Sequence, residues 1–240
     1  MSKMEIGERI VVIGGATGGL GRVVTRQFAD LDCRLVLVSS DLEKLQALQG
    51  ELSLPTDRAL LYAADLSDPG GAQGVLEASL GKFGRSDILL NLVGGWMGGK
   101  TVPQVEPAEV SAMLQQHLWT TFHLTRVFVP HLLENGWGRI VIVSSPNAGN
   151  PPAKGAPYAI GKAAQEALMA TIAAEVKGSG VTANVIRVQT IDVEHERERQ
   201  PSSKTISWTT PEEIAAMIVY LCSDAARMIN GARLPLYGSP

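Results

Sequence analysis

Short runs rich in Val, Ile and Leu alternate with longer helix-patterned stretches along nearly the whole chain. The strand-like runs are Arg9–Ile13, Arg34–Val38, Arg58–Ala63, Asp87–Leu92, Gly138–Ser144 and Val181–Val188, with a weaker one at Arg233–Tyr237. Helical patterns such as Gly19–Leu31, Asp41–Leu52 and Pro69–Lys82 separate them. A strand that re-enters its own sheet through a helix crosses over right-handed and runs parallel to its predecessor. The run Leu35–Val38 has no polar residue, which suits a strand covered by helices on both faces. The pattern predicts an α/β chain with one doubly wound domain over residues 1–240. Its parallel sheet should have about seven strands, with helices on both faces. The charge-rich stretch Glu194–Ser203 precedes Pro211, a residue suited to the first turn of a helix. It reads as part of a mobile substrate loop, residues 189–210 or so, inserted in the domain rather than dividing it.

Composition narrows the class of function. Of 240 residues, 45% are hydrophobic and 19% charged. That is enough apolar content to bury a core, and too much for a disordered chain. The net charge is -3 and no basic block occurs, which argues against a nucleic-acid or anionic-membrane partner. No apolar run is long enough for a membrane span. Cys33 and Cys222 have neither disulfide-framework nor metal-ligand spacing. They read as buried thiols of a reduced compartment, and a cytoplasmic location is expected. Glu194-His195-Glu196 reads as a solvated charged run, and no metal is expected.

The first strand-like run leads into Gly14-Gly15-Ala16-Thr17-Gly18-Gly19-Leu20-Gly21. Glycines let a backbone turn tightly and approach a pyrophosphate. The helix that follows offers free N–H groups and the positive end of its dipole. Such a turn can also serve packing alone. Here the strand before it and the apolar-periodic helix after it give the context of a Rossmann-type dinucleotide site. Gly15, Thr17, Gly19, Leu20 and Gly21 are the candidate contacts.

Tyr158 and Lys162 stand at i and i+4 of a helical pattern, on one face. A free phenol, with a pKa of roughly 10, exchanges its proton poorly at neutral pH. A neighbouring ammonium stabilises phenolate and is expected to lower that pKa. Ser145, at the end of the fifth strand, offers a hydroxyl that can donate to an oxygen gaining negative charge. Ser144 reads as structural.

The spacing Gly15-x-x-x-Gly19-x-Gly21, followed by Ser145, Tyr158 and Lys162, resembles the short-chain dehydrogenase/reductase family over essentially the whole chain. The resemblance implies an NAD(P)(H)-dependent oxidoreductase that moves a hydride between nicotinamide and a carbonyl/alcohol substrate, with Tyr158 as acid and base. Asp65-Leu66 is similar to the family's adenine-contacting pair, although Asp65 also suits a helix cap before Pro69. Asn91 and Gly94 stand where the family supports the sheet beside the cofactor, and Ile191 where a backbone faces the carboxamide. A carboxylate at the end of the second strand would repel a 2′-phosphate. That place holds Ser39, and Ser40 stands where phosphate-selective members carry Arg. Ser40 also forms a capping-box pattern with Glu43. The balance leans slightly toward NADP over NAD.

Three departures from the family pattern stand out. His117 takes the central-helix place of an Asn that holds a water linked to the lysine. It is read as a fourth catalytic residue that holds that water or carries protons, with an inflection near its reference pKa of about 6.5. The alternative is a core or interface histidine. Val188-Gln189 replaces Pro-Gly, and Val193 replaces a cofactor-contacting Thr.

The loop Val93-Gly94-Gly95-Trp96-Met97-Gly98-Gly99, with His117-Leu118-Trp119-Thr120, resembles dihydropteridine reductases of the same superfamily. Trp96 and Met97 are placed to wall a flat or aromatic substrate, or the loop packs on its own Trp. A pteridine or quinonoid reductase is therefore an alternative. A catalytically idle dinucleotide-binding sensor or structural subunit is another. From Ala108 to Leu133 only Glu109 and Arg126 carry permanent charge, and from Tyr158 to Val176 only Lys162, Glu166 and Glu175. Helices so bare predict burial against another copy, in a tetramer or dimer.

Overall fold

Each of the seven strand-like runs forms a strand. The computed structural model describes residues 6–238. The strands are β1 (Ile10–Gly14), β2 (Arg34–Ser39), β3 (Ala59–Ala63), β4 (Ile88–Asn91), β5 (Gly138–Ser144), β6 (Val181–Arg187) and β7 (Arg233–Pro235). All pair in parallel, in the order β3-β2-β1-β4-β5-β6-β7. The helices are α1 (Gly19–Asp30), α2 (Leu42–Glu51), α3 (Pro69–Phe83), α4 (Pro107–Met113), α5 (Thr120–Glu134), α6 (Ala156–Glu175), α7 (Glu196–Arg199) and α8 (Pro211–Cys222). Among the described residues, no helix is long and apolar enough to cross a membrane.

Strand side chains alternate between two cores because successive Cβ atoms point to opposite faces. Val11, Ile13, Leu35 and Leu37 pack with Leu20, Val24 and Phe28 of α1 and with Ile214 and Ile218 of α8. Val12, Val36 and Leu89 pack with Val75 of α3, Phe128 of α5 and Met169 of α6. Each fully buried side chain of this size contributes about 1.5–3 kcal/mol.

The chain winds outward from β1 to β3, then returns past β1 to β4. Loops after β1 and β4 therefore leave in opposite directions, and a crevice opens at the carboxyl ends of the strands. Gly14 is in register with both Val38 and Asn91, so the ends of β1, β2 and β4 are level there.

Three local features depart from simple periodicity. Asp41, not Ser40, caps α2; its carboxylate accepts from Lys44 N at 3.1 Å, leaving Ser40 free of that duty. A π-helical turn, Leu114–Trp119, joins α4 to α5 and carries His117. The segment 189–210 is tied to itself: Ile191 bridges to Thr209, and the Asp192 carboxylate accepts from Glu196 N and Arg197 N at 2.8 Å each.

Candidate active site

The crevice holds two adjoining cavities of about 530 and 250 Å³, which share Leu92, Val93 and Gly94. Gly15, Ser39, Ser40, Asp65 and Leu66 line the smaller one. Gly15 turns there with φ 79, a conformation that favours glycine, and a Cβ on it would sit 3.0 Å from the Leu92 carbonyl carbon. Ser39 Oγ lies 3.0 Å from Thr17 Oγ1 and accepts from Asp41 N. The Asp65 carboxylate accepts from the hydroxyl and N–H of Ser67, which hold it below the ordinary carboxylate range. Asp68 caps α3 in its place, accepting from Gly71 N. Asp65 is the single charged side chain among the residues lining this cavity. Gly18, at the head of α1, has no side-chain cap, so the first N–H groups of that helix stay open to an anion. These features fit the adenosine and pyrophosphate of a dinucleotide.

The larger cavity gathers Leu20, Trp96, His117, Ser145, Tyr158, Lys162 and Ile191. Helix α6 puts Tyr158, Lys162, Gln165 and Glu166 on one face. Lys162 is buried, and its Nζ donates to Val143 O at 2.8 Å and to Gln165 Oε1 at 3.0 Å. Burial pulls its ammonium down to about 7, against the attraction of Glu166. Glu166 accepts from Ser144 Oγ at 2.7 Å and from Nε of Arg187 and of Arg233, each at 2.9 Å. These donors hold its carboxyl below the ordinary range despite burial.

Tyr158 corrects an expectation. Burial raises its phenol above the ordinary value, and only a hydrogen bond with Ser145 opposes that. The Lys162 ammonium is turned toward Val143 O and Gln165 Oε1.

His117 is wholly buried, with Nε2 3.1 Å from Gly95 O. The carbonyl takes the ring's proton, so Nδ1 is a bare acceptor, and it has no partner among the described residues. Burial first, and the charge of Lys162 second, push the imidazole down to about 3. A ring that stays neutral near pH 7 adds no inflection there and keeps its one proton on Nε2, toward Gly95 O. Holding a water or a ligand hydroxyl at Nδ1 remains open to it. Gly161 makes this arrangement possible: a Cβ there would lie 2.8 Å from Met113 O and 3.0 Å from His117 Cδ2.

Thr17, Gly19, Gly21, Asn91 and Met97 line neither cavity. Asn91 is turned inward; its Nδ2 donates to Thr120 Oγ1 at 3.0 Å and Thr121 Oγ1 at 2.8 Å, and its Oδ1 accepts from Val93 N. It thereby shapes the segment that both cavities share. Val193 lies against Gly19, where a Cβ would meet its Cγ2 at 2.9 Å. Trp96 is 68% exposed at the cavity rim and lies over Gly98. Two glutamines were not among the expected site residues: Gln189, named only as a departure from Pro-Gly, and Gln165. Gln189 lines the larger cavity and accepts from Ser207 Oγ at 2.9 Å. Gln165 is wholly buried beside Lys162, and its i+3 spacing from that lysine was a visible signal.

The sequence profile described as short chain dehydrogenase matches residues 9–204. The chain is 30% identical over 244 residues to 2,3-dihydroxy-2,3-dihydro-p-cumate dehydrogenase of Pseudomonas putida, covering 96% of this chain and 93% of that one. It is 29% identical over 245 residues to D-threitol dehydrogenase of Mycolicibacterium smegmatis, covering 96% and 92%. Among solved structures, 3-ketoacyl-(acyl-carrier-protein) reductase from Brucella melitensis, complexed with NADH, superposes with a TM-score of 0.86 at 26% identity, covering 97% and 98%. A match of that reach, on a doubly wound sheet of this strand order, means that the chain belongs to the short chain dehydrogenase family of oxidoreductases.

Proposed function

We propose that the protein is an NAD(P)(H)-dependent oxidoreductase acting on a carbonyl/alcohol pair, with Tyr158 as acid and base. The observation that supports this reading is the convergence of Ser145, Tyr158 and Lys162 on the larger cavity, beside the smaller one that suits an adenosine. Nicotinamide, when bound, supplies or accepts the hydride. Ser145 donates to the substrate oxygen and holds it where negative charge develops. Tyr158 gives its proton to that oxygen in reduction and takes one back in oxidation. Lys162 presents an ammonium that stabilises charge beside the phenol. His117 keeps Gly95 and its own Nδ1 acceptor in place beside Tyr158.

At the end of β2 the smaller cavity offers the hydroxyls of Ser39 and Ser40 to a 2′-phosphate, and among the described residues no cation lines it. We read it as accepting either cofactor, with NADP bound without strong selection. Trp96 at the rim favours a flat substrate, and a pterin or quinone is the second reading. Trp119, Phe122 and Ile160 remain 39%, 36% and 44% exposed on the central helix and α6, which supports a homo-oligomer built on these helices. Both cysteines are buried and free, in keeping with a cytoplasmic protein. The test is binding of NADH and NADPH, followed by their oxidation against a panel of ketones, quinones and pterins. Binding with turnover of ketones supports the first reading, turnover of pterins or quinones alone supports the second, and no turnover with either cofactor refutes both.

A further inference from the structure

Gln165 is wholly buried and lines neither cavity, yet both ends of its amide are engaged. Oε1 accepts from Lys162 Nζ at 3.0 Å, and Nε2 donates to Thr121 Oγ1 at 2.8 Å. Thr121 settles which end is which. Its hydroxyl gives its one proton to His117 O at 2.8 Å and accepts from Asn91 Nδ2 at 2.8 Å. The lone pair that remains can only receive a proton, so the NH₂ of Gln165 faces Thr121 and the oxygen faces the ammonium. Of the three protons on Lys162 Nζ, Val143 O takes one at 2.8 Å and Gln165 a second. One is left for the cavity.

We propose that Gln165 is a positioning residue for Lys162, holding it in the ammonium form and aiming its last proton into the cavity. The proposal rests on the role of Lys162 given above. The titratable groups around this lysine are few. Tyr158 and Glu166 share α6 with it, and His117 faces it from the π-helical turn. Arg187 of β6 and Arg233 of β7 act on Glu166, whose carboxylate they share with Ser144. His117 is neutral, so it offers no counter-charge. The acceptors in direct contact with the ammonium are therefore two neutral oxygens, of Val143 and Gln165. A buried charge that loses one of two such acceptors shifts toward its neutral form. Asn91 and Thr121 extend the chain of bonds from the lysine to β4 and the central helix.

The experiment is a pH titration of the Lys162 side chain in the ligand-free protein, followed by NMR of ¹³C-labelled lysine Cε and assigned by its loss in Lys162→Arg. Wild type should titrate near 7. Gln165→Leu should lower the midpoint by about one to two pH units, the worth of one hydrogen bond to a charged group. Gln165→Glu should raise it above wild type. Melting curves identify folded variants, and if the Leu variant does not fold, the Glu variant decides alone. A midpoint unmoved in a folded variant overturns the proposal, because a purely structural glutamine would change melting and leave the titration in place. The titration needs neither cofactor nor substrate, so its failure is distinct from a failure of the proposed activity.

Discussion

The imidazole of His117 meets the Tyr158 ring edge-on, with centroids 5.4 Å apart and planes at 81°. The contact joins the π-helical turn to α6 at the point where Gly161 lets the two elements close on each other. A wholly buried neutral ring there has a consequence for stability. Unfolded, the imidazole takes a proton below pH 6.5; folded, it does so only near pH 3. Between those values the unfolded chain binds more protons, so stability is complete above 6.5 and falls as pH falls toward 3. At about 1.4 kcal/mol per pKa unit, the loss is on the order of a few kcal/mol. Denaturation of wild type and His117→Asn at several pH values should show a shallower acid limb in the variant. Parallel limbs would remove the argument.

The same ring makes a kinetic prediction. His117→Asn keeps a donor for Gly95 O and a second polar atom, and should retain activity within about tenfold. His117→Leu strands a buried carbonyl, at a cost of about 1–3 kcal/mol, and should lose more activity than Asn. The wild-type rate profile should show no inflection assignable to His117 around neutrality. An active, stable Leu variant would make His117 a packing residue.

Tyr158→Phe keeps the ring against His117 and removes the transferable proton. Turnover should fall by about a hundredfold or more, the worth of a positioned general acid. Cofactor affinity, read by fluorescence titration, should change little. Near-normal turnover would end the assignment.

Cofactor choice should respond to charge at the end of β2. Ser40→Arg supplies the cation that the smaller cavity lacks, and should tighten NADPH by roughly ten- to a hundredfold. Ser39→Asp should shift preference to NADH. The lean toward tolerance of the 2′-phosphate fails if wild type already rejects NADPH by about a hundredfold.

Gly161→Val should force α6 away from Met113 O and the His117 ring. Overpacking of this kind costs about 1–3 kcal/mol. A lower melting temperature together with weaker catalysis is expected. An unchanged melt would show that the two elements can separate freely.

Light scattering at micromolar concentration should give a mass that is a multiple of 25.5 kDa. A species of 25.5 kDa alone would refute the oligomer argued from Trp119, Phe122 and Ile160.

Much of this protein is readable along the chain itself. Runs such as Leu35–Val38 announce a doubly covered parallel strand, because alternation and burial are local properties of side-chain spacing. Gly15 and the i, i+4 pair Tyr158 and Lys162 are legible for the same reason: one turn or one helix face sets their geometry. What spacing cannot show is which neighbours a side chain meets across elements. The cap of α2 fell on Asp41 rather than Ser40 because the backbone at Asp41 is extended and its oxygen reaches Lys44 N. The π-helical turn, the neutral state of His117 and the raised phenol of Tyr158 all depend on burial between α6 and the central helix. The bond from Lys162 to Gln165, and from Gln165 through Thr121 to Asn91, crosses three elements far apart in sequence. Residue types and periodicity determined the sheet, its glycine turn and which side chains are candidates for the chemistry of the crevice. Only tertiary packing decided their protonation and their hydrogen-bond partners, because desolvation and cross-element contacts exist only once the helices close on the sheet.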